Sequence, residues 1–210
     1  MSEEEKKIDK SNSIPEPDYK IENVVATVIM EITEKIDLTT IARKFEDVEY
    51  NPERFPGLVM RIKDPKATFL IFSTGKMVIT GLRRADEARP GVKKVVKLIK
   101  KAGIKVSNPE ITIQNIVASG DLHTFIDLNM AAIIMENAMY EPEVFPGLIY
   151  RMQEPKTVFL LFSTGKVVCT GAKNKKFVKE AFLKLNRELR ELGVAKENRA
   201  NSDYQDIEFI

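Results

Sequence analysis

Few residues in this chain carry side chains suited to covalent or metal chemistry. The sequence holds one cysteine, Cys169, and one histidine, His123, which excludes an internal disulfide, a cysteine-based zinc site and a His-rich metal site. Cys169 stands in an apolar strand-like segment, which favours a buried, inert thiol. The turn Ser73-Thr74-Gly75-Lys76 lacks the upstream glycine of a phosphate-binding loop. An enzyme, or an accessory domain of a nuclease or glycosylase, would need a catalytic constellation that is missing here. We therefore expect no catalytic residues, no cofactor and no metal.

Residues that could instead recognise a ligand occur twice. The stretch from Ile36 to Gly81 is repeated from Ile126 to Gly171, 90 residues later, with about half of the aligned positions identical. This period is longer than the roughly 20–50 residues of solenoid repeats. It indicates a duplicated half-domain and a pseudo-two-fold structure. Duplex DNA, which is itself nearly two-fold, is a natural candidate ligand.

The composition is that of a soluble globular protein. Of its 210 residues, 30% are charged and 43% hydrophobic, and the net charge is only +2, so basicity alone does not indicate nucleic acid. No run approaches the roughly 20 apolar residues of a membrane span. The N-terminus is polar and acidic, unlike a secretory signal.

Four segments are predicted along the chain. We expect a disordered arm over 1–17, a first half-repeat over 18–107, a second over 108–193 and a mobile acidic tail over 194–210. Each half is predicted as strand, helix, four strands and helix. In the first half these are Tyr19–Val28, Asp37–Phe45, Asp47–Tyr50, Leu58–Ile62, Lys66–Phe72, Lys76–Gly81 and an amphipathic helix after Pro90. The fold class is therefore α+β, with one long antiparallel sheet and helices on one side.

Alternation along the strands leaves the second face of this sheet unexpectedly apolar. Successive strand residues point to opposite faces, so Phe69 belongs to the helix side and Leu70 to the other. The far face would carry Val25, Leu70, Phe72 and Val78 with only small uncharged polar residues between them. A sandwich or a homodimer interface would bury this face. The alternative is an exposed apolar face that binds a ligand.

Taken together, these motifs resemble the TATA-box-binding protein family, general transcription factors of archaea and eukaryotes. The resemblance covers about Tyr19 to Leu192. It is carried by Gln114-Asn115-Ile116-Val117-Ala118-Ser119, by Tyr140-Glu141-Pro142-Glu143 running into Phe145-Pro146-Gly147-Leu148-Ile149-Tyr150-Arg151, and by Thr170-Gly171-Ala172-Lys173. The similarity of the two halves and the acidic tail look archaeal.

The resemblance implies a saddle-shaped sheet, with helices on the convex side, whose concave face lies in the minor groove of TATA-box DNA. It implies that the asparagines donate to A·T base edges, the valines and leucines press on them, and four phenylalanines act as wedges that kink the duplex. Arginines and lysines would approach phosphates, although solvated surface charge is the alternative for the lysines. The implied DNA-binding residues are Asn23, Val25, Phe55, Arg61, Leu70, Phe72, Lys76, Val78, Thr80, Asn115, Val117, Phe145, Arg151, Leu160, Phe162, Lys166, Val168 and Thr170.

The same resemblance implies protein partners. Tyr140, Glu141 and Glu143 match the stirrup that transcription factor B grips, and RNA polymerase would follow. The free protein could also dimerise through its apolar face. An archaeal member would act in the cytoplasm on nucleoid DNA, and a eukaryotic one in the nucleus. The alternative function is a diverged paralogue that acts as a promoter-selective or protein-binding regulator.

Overall fold

The computed structural model describes residues 16–196, which form four α-helices and a large antiparallel sheet. The predicted arm up to residue 15 and the predicted tail beyond residue 196 lie outside the described residues. The elements of the first repeat are β1 (Asp18–Ile32), α1 (Leu38–Lys44), β2 (Val48–Glu49), β3 (Leu58–Lys63), β4 (Lys66–Ile71), β5 (Lys76–Leu82) and α2 (Ala88–Lys101). Those of the second are β6 (Val106–Asp121), β7 (Phe125–Ile126), α3 (Leu128–Ile134), β8 (Ala138–Met139), β9 (Leu148–Met152), β10 (Thr157–Leu161), β11 (Lys166–Ala172), α4 (Lys175–Glu191) and β12 (Ala195–Lys196).

Hydrogen bonding joins the strands in the order β2-β3-β4-β5-β1-β6-β11-β10-β9-β8, so both repeats contribute to one ten-stranded sheet. The predicted fold class, α+β with two repeats in an antiparallel sheet beside helices, is confirmed. Separately, β7 pairs with β12 in a two-stranded sheet, an element that the sequence patterns did not indicate. Ala195–Lys196, at the start of the predicted tail, is therefore strand.

The chain also divides into two compact units. The first comprises Lys20–Ala118 and Thr170–Val178, and the second comprises Ser119–Cys169 with the described residues 16–19 and 179–196. Each has its own core. In the first unit, Phe69 is fully buried, and a Cβ on Gly91 of α2 would lie 3.2 Å from its ring. In the second, Phe159 meets Phe182 of α4 edge to face at 5.4 Å. Both phenylalanines occupy the helix side of the sheet, as alternation predicted.

Local signals account for where the helices begin. Asp37 caps α1, because its carboxylate accepts the backbone N–H groups of Thr39 and Thr40 at 2.9 and 3.3 Å. Helix α2 begins at Ala88, before the Pro90 expected to precede it, and follows a 3-10 turn over Ala85–Glu87. Pro90 is accommodated because residues in the first helical turn need no intrahelical N–H bond.

Candidate nucleic-acid interface

The strand faces opposite the core are half-buried and mostly apolar in both units. In β4 and β5, the core face carries fully buried Ile71 and Ile79, while Leu70 and Val78 alternate with them and keep partial exposure. The register pairs Leu70 with Val78 across the two strands. Val25 of β1 and Val117 of β6 have the same intermediate exposure, as do Leu160 and Val168 in the second unit. An apolar face that keeps partial exposure is suited to a ligand with a flat apolar edge.

Asn23 and Asn115 are held in one orientation by their neighbours. The side-chain oxygen of Asn23 accepts the backbone N–H of Gly81 at 2.8 Å, and that of Asn115 accepts the N–H of Gly171 at 2.7 Å. Because each amide oxygen accepts a hydrogen bond from its glycine, the amide nitrogen must point away from that glycine. It donates to Thr80 Oγ1 at 3.3 Å from Asn23, and to Thr170 Oγ1 at 3.0 Å from Asn115. One N–H of each amide remains available to an acceptor.

The glycines that orient these amides have a backbone that other residues adopt with strain. Gly81 has φ +89° and Gly171 has φ +95°, in the region that favours residues without a Cβ. Opposite Gly81, the pairing of β1 with β5 shifts register between Val24 and Ala26. A bulge of this kind re-aims local groups. This bulge lies beside Asn23, whose side-chain amide is held in place by Gly81.

Each unit carries a pair of phenylalanines in mutual contact. The rings of Phe55 and Phe72 meet edge to face with centroids 5.8 Å apart, and those of Phe145 and Phe162 do so at 6.0 Å. All four are only half-buried, unlike the fully buried Phe69. Two adjoining, partly exposed rings form an apolar wedge of the kind that enters between base pairs.

The glycine of each Phe-Pro-Gly motif leaves room for its ring pair. A Cβ on Gly57 would lie 2.7 Å from Cε1 of Phe55 and 3.0 Å from Cε1 of Phe72. A Cβ on Gly147 would meet Phe145 and Phe162 at 2.7 and 3.1 Å. All four distances are shorter than a normal contact between carbon atoms. The sequence patterns showed the motif but not that its glycine makes room for the two rings. The only signal for this role was that the glycine recurs in both repeats.

The two arginines predicted to reach phosphates differ in their surroundings. Arg61 Nη1 pairs with Glu49 Oε1 at 2.7 Å, and both side chains are exposed. Met139 occupies the corresponding position in the second repeat, and none of the carboxylates of residues 16–196 forms an ion pair with Arg151. Lys76 and Lys166 are exposed at the starts of β5 and β11, also without an ion pair in the described chain. Arg151 and the two lysines are thus free to bind an anion, whereas Arg61 must first leave Glu49.

Further residues share the half-exposed face and were missing from the predicted set. Strand register places Val59 opposite Leu70 and Ile149 opposite Leu160. Thr68 and Val158 have the same parity and partial exposure. Alternation from Leu70 and Leu160 would have identified Thr68 and Val158, and alternation from Arg61 and Arg151 would have identified Val59 and Ile149 on the neighbouring strands.

The predicted partner segment forms a tight turn before Phe145. The backbone carbonyl of Glu141 accepts the N–H groups of Val144 and Phe145, both at 2.9 Å. Glu141, Glu143 and Val144 are exposed, while Tyr140 is half-buried. The turn therefore presents two carboxylates to solvent.

Titratable groups inside the second unit serve its core. Burial raises the pKa of the Cys169 thiol to about 12, which keeps it protonated and inert near neutral pH. Burial and the nearby Glu188 carboxylate raise the pKa of Tyr150, whose hydroxyl donates to Glu188 at 3.0 Å. Across the described span, no group of three or more His, Cys, Asp or Glu side chains is arranged for a metal ion. Among helices α1 to α4, none is both long and apolar enough to cross a membrane.

Comparison with known proteins matches most of the chain to one family. The family described as transcription factor TFIID (or TATA-binding protein, TBP) matches residues 18–102 and 110–192. A TATA-box-binding protein of Pyrobaculum aerophilum is 48% identical over 91% of this chain and 96% of its own length. One from Aeropyrum pernix is 52% identical over 85% and 87%. The solved structure of Methanococcus jannaschii TBP has a TM-score of 0.75 and 45% identity, covering 83% of this chain and 99% of that one.

Proposed function

The chain belongs to the TATA-binding protein family of general transcription factors, and we propose that it reads and bends promoter DNA through the minor groove. The family binds TATA DNA. What this chain adds is the set of residues that would do so. The supporting observation is the paired Asn–Gly–Thr arrangement of Asn23 and Asn115 on an apolar, half-exposed sheet face.

Base selection follows from the chemistry of that face. In the minor groove, A·T and T·A pairs offer only the acceptors adenine N3 and thymine O2, while G·C adds a protruding amino donor. The free amide N–H of Asn23 and of Asn115 would donate to such an acceptor. Val25, Val78 and their second-repeat counterparts would lie flat against A·T edges. A guanine amino group would meet these apolar side chains without an acceptor, which costs about 1–3 kcal/mol for an unsatisfied polar group.

Bending would come from the phenylalanine pairs. Phe55 with Phe72, and Phe145 with Phe162, would each enter a base step and unstack it, as apolar wedges do in minor-groove proteins, this family among them. Unstacking costs a few kcal/mol per step and is offset by the protein surface that the bent duplex then contacts. Flexible TA steps lower that cost, so the DNA sequence is also selected by its deformability.

Recruitment would follow from the exposed turn of the second repeat. Tyr140, Glu141 and Glu143 would receive transcription factor B, and RNA polymerase would join the resulting assembly. The first repeat has Asn51 where the second has Glu141, which would direct the partner to one half. Since the compared relatives are archaeal, we propose that the protein acts in the cytoplasm on nucleoid DNA.

Selection from random duplex DNA, with and without added transcription factor B, tests this function. We expect enrichment of an A·T-rich element with TA steps in both arms, and tighter selection when the factor is present. Enrichment of no sequence in either arm would contradict the function and favour a diverged paralogue that binds protein. Enrichment of a G·C-rich site would contradict the assignment of the apolar face.

A further inference from the structure

Helix α3 exposes an apolar face that its counterpart in the first repeat does not have. Met130, Ile133 and Ile134 are 42%, 85% and 40% exposed and lie on one side of the helix, at positions i, i+3 and i+4. The corresponding residues of α1 are Thr40, Arg43 and Lys44. The buried positions are matched in both helices, by Leu38 and Ile41 and by Leu128 and Ala131. Both buried positions stay apolar, so the change from polar to apolar is confined to the solvent side.

The same change from polar to apolar continues along the chain beyond α3. Met139 of β8 is also exposed, but it pairs with Ile149 and so belongs to the half-exposed face of the sheet, like Glu49 in the first repeat. Val144, in the turn that follows, is 79% exposed in place of Arg54. Scattered exposed apolar residues need no explanation, but three on one side of a single helix form a patch that indicates a protein contact. We call Met130, Ile133 and Ile134 the α3 patch.

Unpaired carboxylates accompany the α3 patch. Glu136, Glu141 and Glu143 are exposed, and within residues 16–196 none of them forms a salt bridge. The corresponding segment of the first repeat, 40–54, balances its acids with Arg43, Lys44 and Arg54, whereas 130–144 contains no lysine or arginine. The α3 patch is thus apolar, with Glu136 as its acidic border and no base in the same segment.

This border determines which occupant fits. A second copy docking through the same face would bring two sets of carboxylates together, which is unfavourable. The end of this chain carries Asp203, Asp206 and Glu208 and is likewise acidic. A protein segment with an apolar ridge flanked by lysine or arginine would satisfy both the patch and its border.

We propose that the α3 patch docks such a basic-flanked apolar segment of a transcription initiation protein, and that transcription factor B supplies it. The inference rests on the proposed function and deepens it. The stirrup turn would supply charge and α3 the apolar contact, and the absence of this patch from the first repeat would determine on which half the factor assembles.

The test converts the α3 patch into its first-repeat equivalent. The variant Ile133→Arg with Ile134→Lys should weaken binding of transcription factor B to the protein–TATA complex by about tenfold or more, with TATA affinity unchanged. Both side chains are exposed, so a thermal melt should match that of the wild type. The matched control is Arg43→Ile alone, because Lys44 donates to the Lys101 carbonyl at the end of α2; it should leave factor affinity within about twofold. Glu136→Lys, outside the stirrup turn, should also weaken the factor and make its binding less sensitive to salt.

The outcomes separate the inference from the function on which it rests. If Glu141→Lys with Glu143→Lys releases the factor while the α3 variant retains it, the inference is overturned and the proposed function stands. Equal losses in the α3 variant and in the first-repeat control would also overturn it. If the wild-type complex on TATA DNA fails to bind the factor at all, the inference and the recruitment step are overturned, while DNA reading is decided by the selection experiment.

Discussion

The side-chain oxygen of Asn115 lies 2.7 Å from the backbone nitrogen of Gly171, and this hydrogen bond fixes which end of the amide faces away from the glycine. Asn23 and Gly81 repeat the relationship at 2.8 Å. A side chain that recognises A·T base pairs in the minor groove needs a hydrogen-bond donor, because A·T and T·A pairs both present only acceptors there. The orientation is therefore set before any ligand arrives.

Replacing Asn115 with Asp should weaken TATA binding by at least about tenfold, because an anionic acceptor would then face base acceptors and phosphates. Thr170→Val, which removes only the hydroxyl that holds the amide, should cost less, about threefold. Fluorescence anisotropy on a TATA duplex measures both. Equal affinities for the wild type and Asn115→Asp would contradict the role of the amide.

Gly147→Ala should reduce DNA bending more than it reduces stability. The new methyl group would lie 2.7 Å from Phe145 and 3.1 Å from Phe162, so the rings must turn away from their present arrangement. Pro146→Ala, at the exposed neighbouring position, is the control and should bend DNA normally. The bend angle from gel mobility on permuted probes, set beside a thermal melt, distinguishes ring displacement from unfolding.

Arg61 is paired with Glu49 whereas Arg151 has no ion pair among residues 16–196, so the two arginines should contribute differently to the salt dependence of DNA binding. Arg151→Ala should lower the slope of log affinity against log salt by about 1, as expected for the loss of one phosphate contact. Arg61→Ala should lower it less, because Glu49 competes for that guanidinium. Glu49→Met, which copies the second repeat, should strengthen binding and steepen the slope. A wild-type slope unchanged by Arg151→Ala would exclude its phosphate contact.

Burial of Cys169 predicts a loss of stability in alkali. Its pKa in the folded protein, about 12, lies above the ordinary 9.0, so above pH 9 the unfolded chain releases a proton that the folded chain retains. The protonated thiol therefore makes its full contribution to the free energy of unfolding below pH 9, and this contribution declines as the pH rises toward 12. Urea unfolding should give a shallower decline for Cys169→Ala than for the wild type over this window. Parallel declines would contradict a buried thiol.

Duplication and alternation were enough to predict the fold class and the two faces of the sheet. Period-2 alternation assigns Phe69 inward and Leu70 outward because no bulge interrupts β4. It could not reveal that Glu49 neutralises Arg61, since ion pairing depends on how strands separated in sequence are registered. The β7–β12 pairing was equally inaccessible, because two-residue strands carry no periodic signal. Exposure of the α3 patch needed the structure too, as an apolar helix face usually faces a core.

Bending of a TATA duplex labelled with a fluorophore at each end tests the wedges most directly. Wild-type protein should shorten the end-to-end distance and raise energy transfer. Phe145→Ala with Phe162→Ala should bind weakly and leave transfer near that of free DNA. Phe177→Ala, which truncates an exposed phenylalanine on α4, should bend as the wild type does. Undiminished transfer in the Phe145/Phe162 double variant at saturating protein would contradict insertion of these rings.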